Sequence, residues 1–71
     1  MSEMLKLINH CLISSGSSYS AQDVDHDTVV VDGPNGFCEV YNKYELLPEL
    51  RKLDHSSLAV NEFFRTGGKA L

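Results

Sequence analysis

Tryptophan is missing from this chain, cysteine and proline occur twice each, and no apolar run is long. Each scarcity excludes something. A membrane-spanning helix needs roughly 18 or more consecutive apolar residues, and no stretch approaches that. Met1 to Gly16 is not expected to be a secretion signal, because Lys6, Asn9 and His10 interrupt its apolar residues and no small-residue cleavage site follows. Two cysteines without such a signal predict free thiols in a reducing cytoplasm. Basic residues are also scarce. Six Lys and Arg against ten Asp and Glu leave a net charge of −4, which disfavours non-specific binding to nucleic acid.

What is present is an ordinary globular composition. A hydrophobic share of 42% with 23% charged residues argues against disorder. Seventy-one residues make one small domain, close to the lower limit for a self-sufficient core. The sequence contains no internal repeat, no low-complexity tract and no second domain.

The strongest local signal is Thr28 to Tyr41, TVVVDGPNGFCEVY, which reads as a β-hairpin. Val29, Val30 and Val31 precede the turn chemistry of Gly33-Pro34-Asn35-Gly36, and Phe37, Val40 and Tyr41 follow it. A four-residue loop, Gly33 to Gly36, pairs Asp32 with Phe37, Val31 with Cys38, Val30 with Glu39 and Val29 with Val40. A two-residue Asn35-Gly36 loop shifts the pairing but keeps the same faces, because side chains alternate with period two. Both predict Val29, Val31, Cys38 and Val40 as the core face. The outer face then carries Thr28, Val30, Asp32, Phe37, Glu39 and Tyr41. A loop of odd length would exchange these sets, and this reading excludes it.

Helical patterns flank the hairpin. From Ser2 to Ser15, Met4, Leu5, Leu7, Ile8, Cys11 and Leu12 share a broad stripe, with Ser2 as N-cap and Gly16 as stop. Gly16 to Asp27 is a polar connection in which Ser20 to Asp23 faintly resembles a capped helical turn. After the hairpin, Asn42 and Glu45 have capping-box spacing. Pro48 then favours a short turn over Lys43 to Leu46 and a second helix beginning at Pro48, over one kinked helix to Leu53. Asp54 to Ser57 is a break rich in capping residues. Ser57 to Arg65 is a last helix stopped by Gly67-Gly68, and residues 69–71 form a frayed tail. The expected fold is therefore a small α+β domain in the order αββαα.

Candidate chemistry is sparse. Asp23, Asp25 and Asp27 alternate as in a calcium loop, but Thr28 stands where the turn glycine belongs and no glutamate arrives at the last loop position. A solvated acidic lead-in to an edge strand explains them better. Cys11, Cys38, His10, His26 and His55 lack the close spacing of a zinc site, so neither a metal nor another cofactor is expected. No phosphate loop or nucleophile-and-base pair is apparent, and no small-molecule substrate is evident, so the chain is not expected to be an enzyme.

That leaves a surface. Val30, Phe37 and Tyr41, with Phe64 and an acidic rim of Asp32 and Glu39, would make an aromatic patch suited to a protein partner. Burial of the same face under a flanking helix is the competing reading. A two-stranded sheet with open edges also suggests homodimerisation through the hairpin. The expected function is that of a small acidic regulatory protein, of the inhibitor or accessory kind common in phages and mobile elements by analogy of size and composition. It would occlude a protein target. The alternative is a nucleic-acid binder using Lys43, Arg51, Lys52 and Arg65.

Overall fold

A computed structural model describes residues 3–53, 56–68 and 70–71. The expected cap at Ser2 and the break at Asp54 and His55 lie outside them. The elements run α1 (Glu3–Ser14), β1 (Ser20–Asp23), β2 (Thr28–Asp32), β3 (Cys38–Asn42), α2 (Lys43–Lys52) and α3 (Ser57–Arg65). The fold is a small α+β arrangement. Its antiparallel sheet has three strands in the order β1-β2-β3, one more than the hairpin pattern predicted. No helix among the described residues is long and apolar enough to cross a membrane.

Of the predicted stripe, helix α1 buries Leu5, Ile8, Cys11 and Leu12 and half-buries Met4, while Leu7, like the off-stripe Ile13, is exposed. It ends as expected at Gly16, which takes a left-handed φ of 68°. The Gly16 N–H donates to the Ile13 carbonyl at 3.0 Å and the Ser17 N–H to the Leu12 carbonyl at 3.1 Å, which satisfies two otherwise orphaned acceptors.

Strand β1 falls where a polar connection was expected. Its four residues, Ser-Ala-Gln-Asp, carry no β-branched side chain, and only Ala21 is buried. Tertiary pairing rather than propensity makes it a strand: Ser20 to Asp23 pair with Asp32 to Val29 of β2.

The hairpin register is the principal correction. Asp32 pairs with Cys38, Val31 with Glu39, Val30 with Val40, and Val29 with Tyr41, one residue away from the four-residue-loop pairing. Of the two expected turns, the one present is Asn35-Gly36. Asn35 (φ 59°, ψ 32°) and Gly36 (φ 77°) are both left-handed, and the Phe37 N–H donates to the Pro34 carbonyl at 3.2 Å. A regular two-residue hairpin would complete that pair with an N–H from position 34, which proline lacks. Instead the Gly33 N–H donates to the Phe37 carbonyl at 3.0 Å. Gly33 and Pro34 thus stand opposite Phe37 alone, a bulge that moves the register by one residue. A shift of one exchanges the faces. Val29, Val31 and Tyr41 are buried with Ala21, while Cys38 and Val40 are exposed.

Pro48 does not divide the following helix. Helix α2 runs unbroken from Lys43 to Lys52, capped by Asn42, whose Oδ1 accepts from the Tyr44 and Glu45 N–H groups at 2.9 and 3.2 Å. Pro48 and Tyr44, whose carbonyl loses its intrahelical donor, are both exposed, so the gap in the ladder falls on the solvent side. Helix α3 is capped by Ser56, whose side chain accepts from the Ala59 N–H at 3.2 Å, and it buries Val60 and Phe64.

The buried side chains form one cluster on the side of the sheet that carries Val29, Val31 and Tyr41. Phe64 sits at its aromatic centre, with ring centroids 4.7 Å from Tyr19, 5.6 Å from Tyr41 and 5.9 Å from Phe37. Residues 70 and 71, expected to fray, are hydrogen-bonded: Ala70 N–H to the Gly67 carbonyl at 3.0 Å and Leu71 N–H to the Val40 carbonyl at 2.9 Å.

Candidate functional site

The residues expected to share an outer face do not share one. Tyr41 and Phe64 are fully buried, and Phe37 is half-buried against Tyr19 and Phe64 at the bulged turn. These three aromatics meet, but inside the molecule. Burial also pushes the Tyr41 phenol up to about 12, with the Glu39 charge adding to the effect. Glu39 shares the sheet side of Val31 and Tyr41, yet remains exposed at the edge. Of the expected set, Val30 and Asp32 alone lie on the face away from the core.

That open face is built by alternation from Ser20 and Gln22 of β1, Thr28, Val30 and Asp32 of β2, and Cys38, Val40 and Asn42 of β3. Val30 and Val40 are cross-strand partners at its centre, with Val30 half-buried and Val40 37% exposed. Beside them, Asp32 is paired with Cys38. A hydrogen bond from the thiol to the Asp32 carboxylate, followed by partial desolvation and the negative charges of Asp32 and Glu39, raises the Cys38 pKa. A thiol held in its protonated form is a poor nucleophile.

The segment that builds this face carries charge of one sign, although of its strand acids Asp32 alone lies on the open face, Asp23 and Glu39 being on the core side. No Lys or Arg occurs between Leu7 and Asn42, whereas Asp23, Asp25, Asp27, Asp32 and Glu39 all lie in that span. The β1–β2 connection is a tight turn, closed by the Val24 and Asp25 N–H groups on the Thr28 carbonyl. Asp25 Oδ1 accepts from the Asp27 N–H at 3.0 Å, and this bond is the main reason the Asp25 pKa is lowered. Among the described residues, no group of three or more His, Cys, Asp or Glu side chains is placed to hold a metal ion. His55 lies outside them.

The four cations of the nucleic-acid reading are dispersed in role. Lys43, the first residue of α2, is 1% exposed, and its Nζ lies 2.7 Å from Asp23 Oδ1. Lys52 is paired with Glu49 and Arg65 with Glu62. Arg51 is exposed. Nothing in the spacing of Lys43 marked it as a core residue. Its burial depends on Asp23 arriving on a strand the sequence did not announce.

A concavity of about 530 Å³ opens between the bulged turn and α3. Tyr19 and Phe37 contribute its apolar lining, the Glu62–Arg65 pair stands at one side, and Leu58 is 81% exposed at another. The Arg65 guanidinium hydrogen-bonds Glu62 and holds that carboxyl below its usual pKa.

Comparison with protein-family models, with curated proteins and with solved structures gave no match for this chain.

Proposed function

We propose that the protein is a small acidic interaction protein that acts without catalysis, binding and occluding a basic surface of another protein through the open face of its sheet. One observation carries the reading. An aliphatic pair, Val30 and Val40, lies uncovered at the centre of a face whose whole segment, Leu7 to Asn42, contains no Lys or Arg. Apolar contact at the centre would supply affinity, and the acidic surroundings would steer encounter and select against acidic partners. The aromatic anchors expected from the sequence serve the core instead, so the contact surface is smaller and more aliphatic than first expected. In this reading the protein works in the cytoplasm, where Cys11 and Cys38 remain free thiols.

The test is crosslinking capture from the native cell with the wild type, with Val30→Lys/Asp32→Lys, and with Leu58→Lys as a control away from the sheet. A basic protein recovered with the wild type and the control, but lost with the sheet-face variant, is the expected result. Equal recovery by all three proteins would place the contact elsewhere.

A further inference from the structure

The two edges of the sheet are treated differently. At the β1 edge, the Asn9 side chain forms a reciprocal pair with the Ala21 backbone: Asn9 Nδ2 donates to the Ala21 carbonyl and the Ala21 N–H donates to Asn9 Oδ1, both at 3.0 Å. A carboxamide satisfies a backbone donor and acceptor as a neighbouring strand would, so α1 closes this edge.

The β3 edge has no such closure. Among the described residues β3 pairs with β2 alone. In an antiparallel ladder, alternate residues turn their backbone groups outward. The Val40 carbonyl, taken by the Leu71 N–H, identifies Cys38, Val40 and Asn42 as the outward-turned set. Strand β3 carries no proline and no lysine, two residues that commonly guard an edge. What covers it is a short segment after α3, entered through two left-handed glycines, Gly67 (φ 92°) and Gly68 (φ 49°).

We infer that β3 accepts an extended basic segment of the partner protein as a fourth strand, and that Ala70–Leu71 occupies part of that edge until the segment displaces it. The inference rests on the proposed function and specifies how its partner binds. Side-chain alternation sets the chemistry of the incoming strand. Its residue beside Val40 lies on the open face and extends the Val30–Val40 pair, so it is aliphatic. Its residues on the opposite side of the sheet lie near Glu39, so they are Lys or Arg. A second copy of this chain fits less well, because pairing β3 with itself brings two chains of net charge −4 together and sets Glu39 near its own copy.

The test uses the full chain and a short blocked peptide of alternating lysine and valine. A control peptide is N-methylated on the backbone edge that would face β3, which preserves charge and side chains but removes the strand donors. Titration followed by amide exchange is expected to show protection at Val40 with the plain peptide and none with the control. Leu71→Pro, which removes the competing N–H, should tighten plain-peptide binding by about fivefold, the worth of one hydrogen bond.

If the two peptides bind equally, strand addition is overturned while recognition by the acidic face stands. If neither binds, both readings fall. Val40 protection that appears without peptide, together with a doubled mass, would replace the partner segment by a second copy.

Discussion

Gly33 donates its N–H to the Phe37 carbonyl at 3.0 Å, and that contact decides which half of the hairpin is core. Proline at position 34 cannot make the bond, so the ladder advances by one residue and Tyr41 turns inward while Val40 turns out. The register is therefore testable by two neighbouring substitutions. Tyr41→Ala should cost about 3–5 kcal/mol, as deletion of a large buried aromatic does. Val40→Ser should cost about 1 kcal/mol or less, since it alters an exposed edge position. Urea denaturation checks both, and the opposite ranking would restore the unshifted register.

Gly33 also lies beneath a ring. A Cβ there would meet the Tyr19 ring at Cδ2 and Cε2. Gly33 is extended, so backbone strain is not the issue; the space is. Gly33→Ala should push Tyr19 off its stack with Phe64 and destabilise by about 1–3 kcal/mol, the usual range for overpacking. Thermal unfolding with near-ultraviolet circular dichroism checks the stability and the aromatic packing together.

Lys43 and Asp23 form an asymmetric pair, one buried and one 36% exposed at its side chain. Removing the carboxylate leaves an ammonium buried without that partner, so Asp23→Ala should cost about 3–5 kcal/mol. Lys43→Met keeps the volume and removes the charge, so it should be far milder and close to neutral. Chemical denaturation of the two variants and the double variant measures the coupling. Equal losses for both single variants would refute the asymmetry.

Asn9→Leu should do two things at once. It leaves the Ala21 N–H and carbonyl without the Asn9 side chain, at a cost of about 1–3 kcal/mol, and it uncovers the β1 edge. An uncovered edge promotes association, so light scattering across a concentration series should detect larger species in the variant than in the wild type. A variant that is both stable and unchanged in mass would show that Asn9 is dispensable.

The Tyr41 phenol makes stability depend on pH in the alkaline range. Its folded pKa is raised from the ordinary 10.0 to about 12, so folding favours the neutral form. The stability this provides is fully present below pH 10 and declines as pH rises towards 12, because the unfolded chain ionises first. Phenolate absorbance of the folded protein should therefore show a late-titrating tyrosine that Tyr41→Phe removes, and the variant's stability should depend less on pH over that interval.

The sequence by itself determined that helices flank the hairpin and where α1 stops, though not that α2 runs unbroken through Pro48. Apolar spacing placed Leu5, Ile8, Cys11 and Leu12 on one face, and Gly16, Asn42 and Ser56 acted locally as stop and caps, because such signals need only neighbouring residues. The hairpin's existence and its Asn35-Gly36 turn were legible for the same reason. Tertiary structure decided the rest. Strand β1 exists because β2 offers it a ladder and Asn9 closes its far side, not because Ser-Ala-Gln-Asp favours extension. The faces of the hairpin depended on one missing N–H, a detail that period-two patterning cannot register because both registers bury valines. Candidate contact residues divided accordingly: Val30 and Asp32 stayed on the open face, while Tyr41 and Phe64 joined the core, because a large aromatic on a small sheet is buried wherever the register lets it reach.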